Sequence, residues 1–199
     1  MRTTPEETER NNQIILDTAI RLFSQKGYNA VNIQDIADEI GITKGPLYYR
    51  YKSKAKLFEA ALEKMAKEQV QEYERIFTQD KSFFVLVRED LQYCMKDYAF
   101  TQYTFDDIAM LEEELADARI IMKECTQAIY VIKEKAVKKA MEQGELKEGT
   151  DPRHVVNLMF VYALGIHETL HKQNMIKTQE EIDECIDDYV YLLKHKYGN

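Results

Sequence analysis

The sequence has no tryptophan, three prolines, seven glycines and three cysteines in 199 residues. So few turn formers exclude a sandwich or barrel of many short strands and favour an all-helical chain. Cys94, Cys125 and Cys185 are odd in number, far apart and without a CxxC pair. That argues against a disulfide framework or a structural zinc site and for the reducing cytoplasm. No run of 18 apolar residues occurs, so no membrane-spanning helix and no membrane partner are expected. The chain is polar through Gln13, unlike a secretory signal. Walker loops, GxGxxG turns and Ser/His/Asp arrangements are missing too, so no cofactor and no enzyme chemistry of those classes are expected. What remains is 45% hydrophobic and 31% charged, enough for a real core in one large domain or two small ones.

An excess of positive charge is also lacking: the net charge is −8. Its distribution matters more. Residues 1–56 hold nine Lys/Arg against seven Asp/Glu, whereas residues 57–199 hold eighteen against twenty-eight. Within residues 44–56, Lys44, Arg50, Lys52, Lys54 and Lys56 stand with no acid among them. A basic segment on an acidic body suits a protein that meets an anion at one end only. A solvated lysine-rich loop would give the same count.

The apolar pattern is helical nearly throughout. Residues 1–9 read as a frayed polar lead. Ile15, Leu16, Ala19, Ile20, Leu22 and Phe23 keep helical spacing from Asn12 to Lys26, and Gly27 stops that helix. Asn32 with Asp35 reads as a capping box before a short helix that Gly41 ends. Thr43 can cap a third helix, about Lys44 to Arg50, with Pro46 in its first turn. A long helix from Lys54 to Phe77 crosses the point where the charge changes sign, with no linker there. Further helices are expected over about 84–98, 108–116, 119–143, 152–166 and 178–196, with residues 99–106 irregular, about nine helices in all.

Two short helices joined by Gly41-Ile42-Thr43 form a helix-turn-helix candidate, whose second helix would enter a DNA major groove. Leu47 and Tyr51, four apart, can anchor that helix, leaving Tyr48, Tyr49 and Arg50 to face elsewhere. Tyrosine hydroxyls and Arg/Lys are suitable donors to phosphate oxygens, and Gly45 allows close backbone approach. The arrangement IQDIADEIGITKGPLYYRYKSKAKLF, with AIRLFSQKGYNAVNIQDIA before it, resembles the signature of the TetR family of bacterial transcriptional regulators. The resemblance covers about residues 12–62. It implies an N-terminal helix-turn-helix DNA-binding domain, residues 1–53, and a C-terminal ligand-binding and dimerisation domain, residues 54–199. Carried over position by position, it makes Gln34, Thr43, Lys44, Gly45, Pro46, Tyr48, Tyr49, Arg50 and Lys54 the DNA-contacting residues. Pro46 departs from the Thr, Ser or Ala usual there, and proline has no donor for a base. Arg50 stands where relatives often have His.

The resemblance further implies a homodimer, formed by the last two helices, on a palindromic DNA operator. The near-continuous apolar run from Val155 to Ile166 asks independently for cover on more than one side, by a partner or by the chain's own core. The interface expected is Val155, Leu158, Tyr162, Gly165, Ile166, Ile182, Ile186, Tyr189 and Leu193. Family members also bind a small molecule and then lose DNA affinity. Tyr93, Tyr98, Tyr103, Phe105, Met110, Met122, Tyr130, Met159 and Tyr162 lie on the helices that would line such a pocket, though aromatics and Met at this spacing equally describe a core. The reading is a cytoplasmic, ligand-responsive repressor released by a small-molecule inducer.

One motif competes. His167-Glu168-Thr169-Leu170-His171 reads HExxH, which on a helix can bind zinc with Glu as general base. A catalytic site would need a third ligand, and neither Glu180 nor His195 has a recognisable spacing. A metal at His167 and His171 is thus a minor alternative, as is a helical adaptor that uses its helix-turn-helix for protein contacts.

Overall fold

The computed structural model describes residues 4–95, 108–110, 112–169, 175 and 178–199. Its helices are α1 (Pro5–Lys26), α2 (Ile33–Glu39), α3 (Lys44–Tyr51), α4 (Lys54–Phe77), α5 (Phe83–Cys94), α6 (Ala116–Glu142), α7 (Pro152–His167) and α8 (Gln179–Tyr197). Residues 108–110 are helical as well, and Glu113–Leu115 is a 3-10 turn just before α6. The fold is all-α; a lone bridge between Leu146 and Gly198 is the extended pairing among the described residues. None of the helices is long and apolar enough to cross a membrane.

α1 starts seven residues before the expected Asn12. Thr4 accepts from the Glu7 N–H at 3.1 Å, the Glu7 carboxylate accepts from the Thr4 N–H at 2.9 Å, and Pro5 sits in the first turn. That reciprocal cap satisfies two orphan donors and draws a polar lead into helix without any apolar residue. The Asn32–Asp35 capping box forms as expected. At α3, Thr43 occupies the cap position but makes no side-chain cap bond. The expected irregular stretch 99–106 lies outside the described residues.

The described residues fall into two compact units. The first spans Met1–Glu68 and Thr101–Cys125, the second Gln69–Phe100 and Thr126–Asn199. α4 contributes residues to both, so the functional boundary expected at 53/54 falls inside the first unit. The first unit is centred on the rings of Phe23, Tyr28 and Phe58, with centroids 5.4–5.6 Å apart. Ile36, Leu47, Leu57 and Leu62 complete that core.

In the second unit α5 packs on α7 and α8, and Arg88 pairs with Asp187 across α5 and α8. The loop after α6 ties the helix ends together. The Glu145 carboxylate accepts from the Phe83 N–H at 2.8 Å, capping α5. The Lys147 N–H donates to the Tyr197 carbonyl at 2.8 Å and its ammonium to that of Lys196 at 2.9 Å, satisfying the end of α8.

Candidate nucleic-acid interface

The turn from α2 to α3 passes through Gly41 at φ +72°, and Ile42 donates back to the Ala37 carbonyl at 3.0 Å. A side chain at that φ would strain the reversal that sets one helix against the next. α3 then buries two residues one turn apart, Leu47 and Tyr51. The Tyr51 hydroxyl bonds Asn12 on α1, and burial raises its pKa. With α3 anchored on that side, Thr43, Lys44, Gly45, Pro46, Tyr48, Tyr49 and Arg50 all stand exposed, Tyr49 the most at 82%. The structure thus brings together seven of the nine residues expected at DNA, on one helix and its cap.

Two cations on this face lie over rings. The Lys52 ammonium sits 4.9 Å from the Tyr49 ring centroid, and the Arg50 guanidinium 5.8 Å from that of Tyr51. Lys52 ends α3 with φ 69°, a left-handed conformation for a residue with a side chain. Gln34 is exposed in the first turn of α2, its amide donating to Asp38 at 2.6 Å. Lys54 is half-buried; its ammonium lies 4.0 Å from the Tyr28 ring centroid and donates to the Tyr28 carbonyl at 3.2 Å. Such a surface can donate to phosphates from Lys, Arg and tyrosine hydroxyls, while Pro46 offers only apolar contact.

The sequence profile of bacterial regulatory proteins of the tetR family matches residues 15–61, the same segment. The N-terminal domain belongs to the tetR family. Its curated relatives include the transcriptional regulator AcrR of Shigella flexneri, 42% identical over 57 residues, which are 29% of this chain and 26% of that protein. The biofilm-operon negative regulator IcaR of Staphylococcus aureus is 44% identical over 48 residues, 24% of this chain and 26% of that one. The chain therefore spans about a quarter of the length of these relatives. The fold as a whole is that of a transcriptional regulator from Saccharomonospora viridis solved with choline, at TM-score 0.78 and 16% identity over 96% of this chain and 99% of that one. These curated relatives are transcriptional regulators.

Beyond the tetR-family domain the expected residues scatter. Tyr98, Tyr103 and Phe105 lie outside the described residues. Met110 is exposed and Met122 half-buried, both in the first unit. In the second unit Met159 is core, Tyr130 stacks on Phe160, and Tyr162 stacks on Tyr189 at 4.0 Å while its hydroxyl donates to the Cys185 carbonyl. Tyr93, edge-on to Tyr73, borders a cavity of about 450 Å³ with Glu72, Gln79, Gln92 and Ile186.

The expected dimer face also needs redrawing. Val155, Ile166, Ile182, Ile186, Tyr189 and Leu193 are buried within the chain, and Leu158 and Tyr162 half-buried; only Gly165 is exposed. The large apolar side chains that α7 and α8 leave in solvent are Val161, Leu164, Tyr191 and Leu192. Periodicity locates an apolar stripe but cannot tell the chain's own core from a partner's. Of the HExxH segment, His167 is buried at the end of α7 and His171 lies outside the described residues. The described residues hold no group of three His, Cys, Asp or Glu able to bind a metal.

Sequence reasoning missed a buried ion pair in the second unit. Lys133, 1% exposed, donates to Asp90, 0% exposed, at 2.8 Å. The ammonium also lies 4.9 Å from the Tyr73 centroid and 4.8 Å from that of Phe160. Burial pushes the Asp90 carboxyl above its usual range, against the pull of Lys133, and pushes the Cys94 thiol beside it up to about 12. The signal was available: Lys133 continues the buried stripe Cys125, Ile129, Val137, and Asp90 sits between Val87 and Leu91.

Proposed function

We propose that this protein is a sequence-specific DNA-binding transcriptional regulator, a cytoplasmic repressor that leaves a palindromic operator when a small molecule binds. The observation that carries the reading is α3: anchored through Leu47 and Tyr51, it offers Lys44, Tyr48, Tyr49 and Arg50 to solvent within a tetR-family domain. Lys54 and Gln34 supply flanking phosphate donors, and Thr43, Gly45 and Pro46 let the start of α3 approach the groove.

Homodimerisation through α7 and α8 is supported by Val161, Leu164, Tyr191 and Leu192, with Gly165 permitting close helix approach. Two recognition helices about 34–36 Å apart then read the two halves of a palindrome. The choline complex of the Saccharomonospora viridis regulator supports a small-molecule effector. Here the cavity bordered by Tyr93, Glu72, Gln79, Gln92 and Ile186 would receive it. Because α4 runs unbroken from Lys54 to Phe77, a displacement of its C-terminal turns moves its first turn, beside α3. An effector that prefers the displaced state lowers operator affinity by the ratio of its affinities for the two states.

The test is fluorescence anisotropy against DNA from the upstream intergenic region, titrated over salt. Six to ten phosphate contacts per dimer give a log–log slope near about −5 to −9. Tight binding to one palindromic segment, well above random DNA, is the expected result. Weak binding that ignores sequence, or none, removes the reading.

A further inference from the structure

We propose that Tyr28 is the positioning residue for a phosphate contact made by Lys54. The inference rests on the DNA-binding reading above and adds a residue to it from outside the helix-turn-helix contact set. The cations of the basic segment differ in how they are held. Lys44, Arg50 and Lys52 are exposed. Lys56 is taken up by Glu59 at 2.6 Å and Asp117 at 3.0 Å. Lys54 is held by one residue in two ways, its ammonium over the Tyr28 ring and donating to the Tyr28 carbonyl. A lysine ammonium has three donors; the carbonyl uses one and leaves two for an anion. The ring compensates lost hydration without neutralising the charge, as a carboxylate would. The four-carbon stem of Lys54 is thus already ordered, and less rotamer entropy is lost when a phosphate arrives.

Tyr28 is itself fixed. It is 2% exposed and follows Gly27, whose φ of +80° ends α1. Its ring stands edge-on to Phe58 at 5.5 Å. The next residue, Asn29, donates its amide to Glu112 at 2.6 Å, and Arg119 holds the backbone there by donating to the Ala109 and Glu112 carbonyls. The turn before α6 thus fastens the loop that holds Lys54. Burial and then Glu114 keep the Tyr28 hydroxyl protonated, so the ring under the ammonium stays uncharged.

Two measurements test this on the full chain. In the first, the Lys54 Cε protons of the parent protein should be shifted upfield by the Tyr28 ring, free and DNA-bound alike. Ordinary lysine shifts, or loss of the upfield shift on binding DNA, overturn the proposal without any variant. The second is a double-mutant cycle on DNA affinity, with circular dichroism confirming the fold. Lys54→Ala and Tyr28→Leu should each weaken binding roughly three- to tenfold and flatten the salt slope by about one per subunit. Combined, they should cost little more than either alone, whereas a merely structural role for Tyr28 gives losses that add. Tyr28→Phe keeps ring and carbonyl and should bind as the parent does. If the parent binds but folded Tyr28→Leu matches it, this inference falls and the DNA reading stands. If the parent shows no salt-sensitive DNA binding, both fall.

Discussion

Lys133→Met is the perturbation whose size follows most directly from the structure. It removes the ammonium 2.8 Å from Asp90 in a site where neither residue is exposed, and Met keeps most of the volume. The stranded carboxylate can stay charged or take up a proton. The second route caps the cost at neutral pH, because protonating an Asp of ordinary pKa ~3.9 at pH 7 takes about 3 units at 1.36 kcal/mol each, roughly 4 kcal/mol. That agrees with the ~3–5 kcal/mol typical of breaking a buried pair. For a chain of this size it lowers Tm by on the order of 10 °C. The pH dependence is the sharper signature. In the variant the folded pKa of Asp90 lies above the unfolded value, so folding binds a proton. Burial raises Asp90 in the parent too, so the deficit should shrink as pH falls from 7, by up to about 1.4 kcal/mol per unit, only while the parent's Asp90 stays ionised. Asp90→Asn combined with Lys133→Met should recover most of the loss, since no charge is left buried. Urea unfolding followed by circular dichroism at pH 5, 6 and 7 measures all three proteins. A single-variant deficit under ~1 kcal/mol, or one that does not change with pH, refutes the argument that Asp90 is left as an unpaired buried charge.

Other expectations are as direct. Lys52→Gly relieves a positive-φ side chain and should stabilise by up to about 1 kcal/mol in thermal unfolding, less the extra unfolded-state entropy of glycine. Because it also removes a cation from the α3 face, DNA affinity should fall as Tm rises; an unchanged or lower Tm would show that the strain is absent. Val161→Asp with Leu192→Asp places charges on the exposed apolar face and should turn the proposed dimer into a folded monomer by sedimentation, while a dimer that persists moves the interface elsewhere. Cys94 stays protonated when folded up to about pH 12 but ionises near 9 when unfolded. Stability should therefore fall as pH rises from 9 towards 12, and Cys94→Ala should weaken that slope; equal slopes would mean Cys94 does not carry it.

Much of the proposed DNA face was legible because its signals are local. Gly41 at a positive φ, the Asn32–Asp35 cap and the four-residue spacing of Leu47 and Tyr51 each depend on neighbours within a few positions, and each appears where the pattern put it. The start of α1 was misread for a related reason: Thr4 and Glu7 carry a capping box, but apolar periodicity is silent over residues 5–9. The exposed apolar side chains of α7 and α8, the proposed dimer surface, were out of reach of periodicity. Val155 and Val161 lie on the same apolar helix, one in the core and the other 66% exposed, and only the packing of α5 against α7 and α8 separates them.

By itself, the sequence determined the helical class, the order of the helices, the helix-turn-helix and its tetR-family membership, since capping, turn geometry and spacing act over one or two helical turns. The tertiary structure decided which of those residues meet. It set Lys54 on Tyr28, 26 positions away, and Lys133 on Asp90, 43 positions away, and it divided one apolar stripe between core and surface. Contacts at such separation are chosen by the burial of whole faces, a property of packed elements that no short window of residues contains.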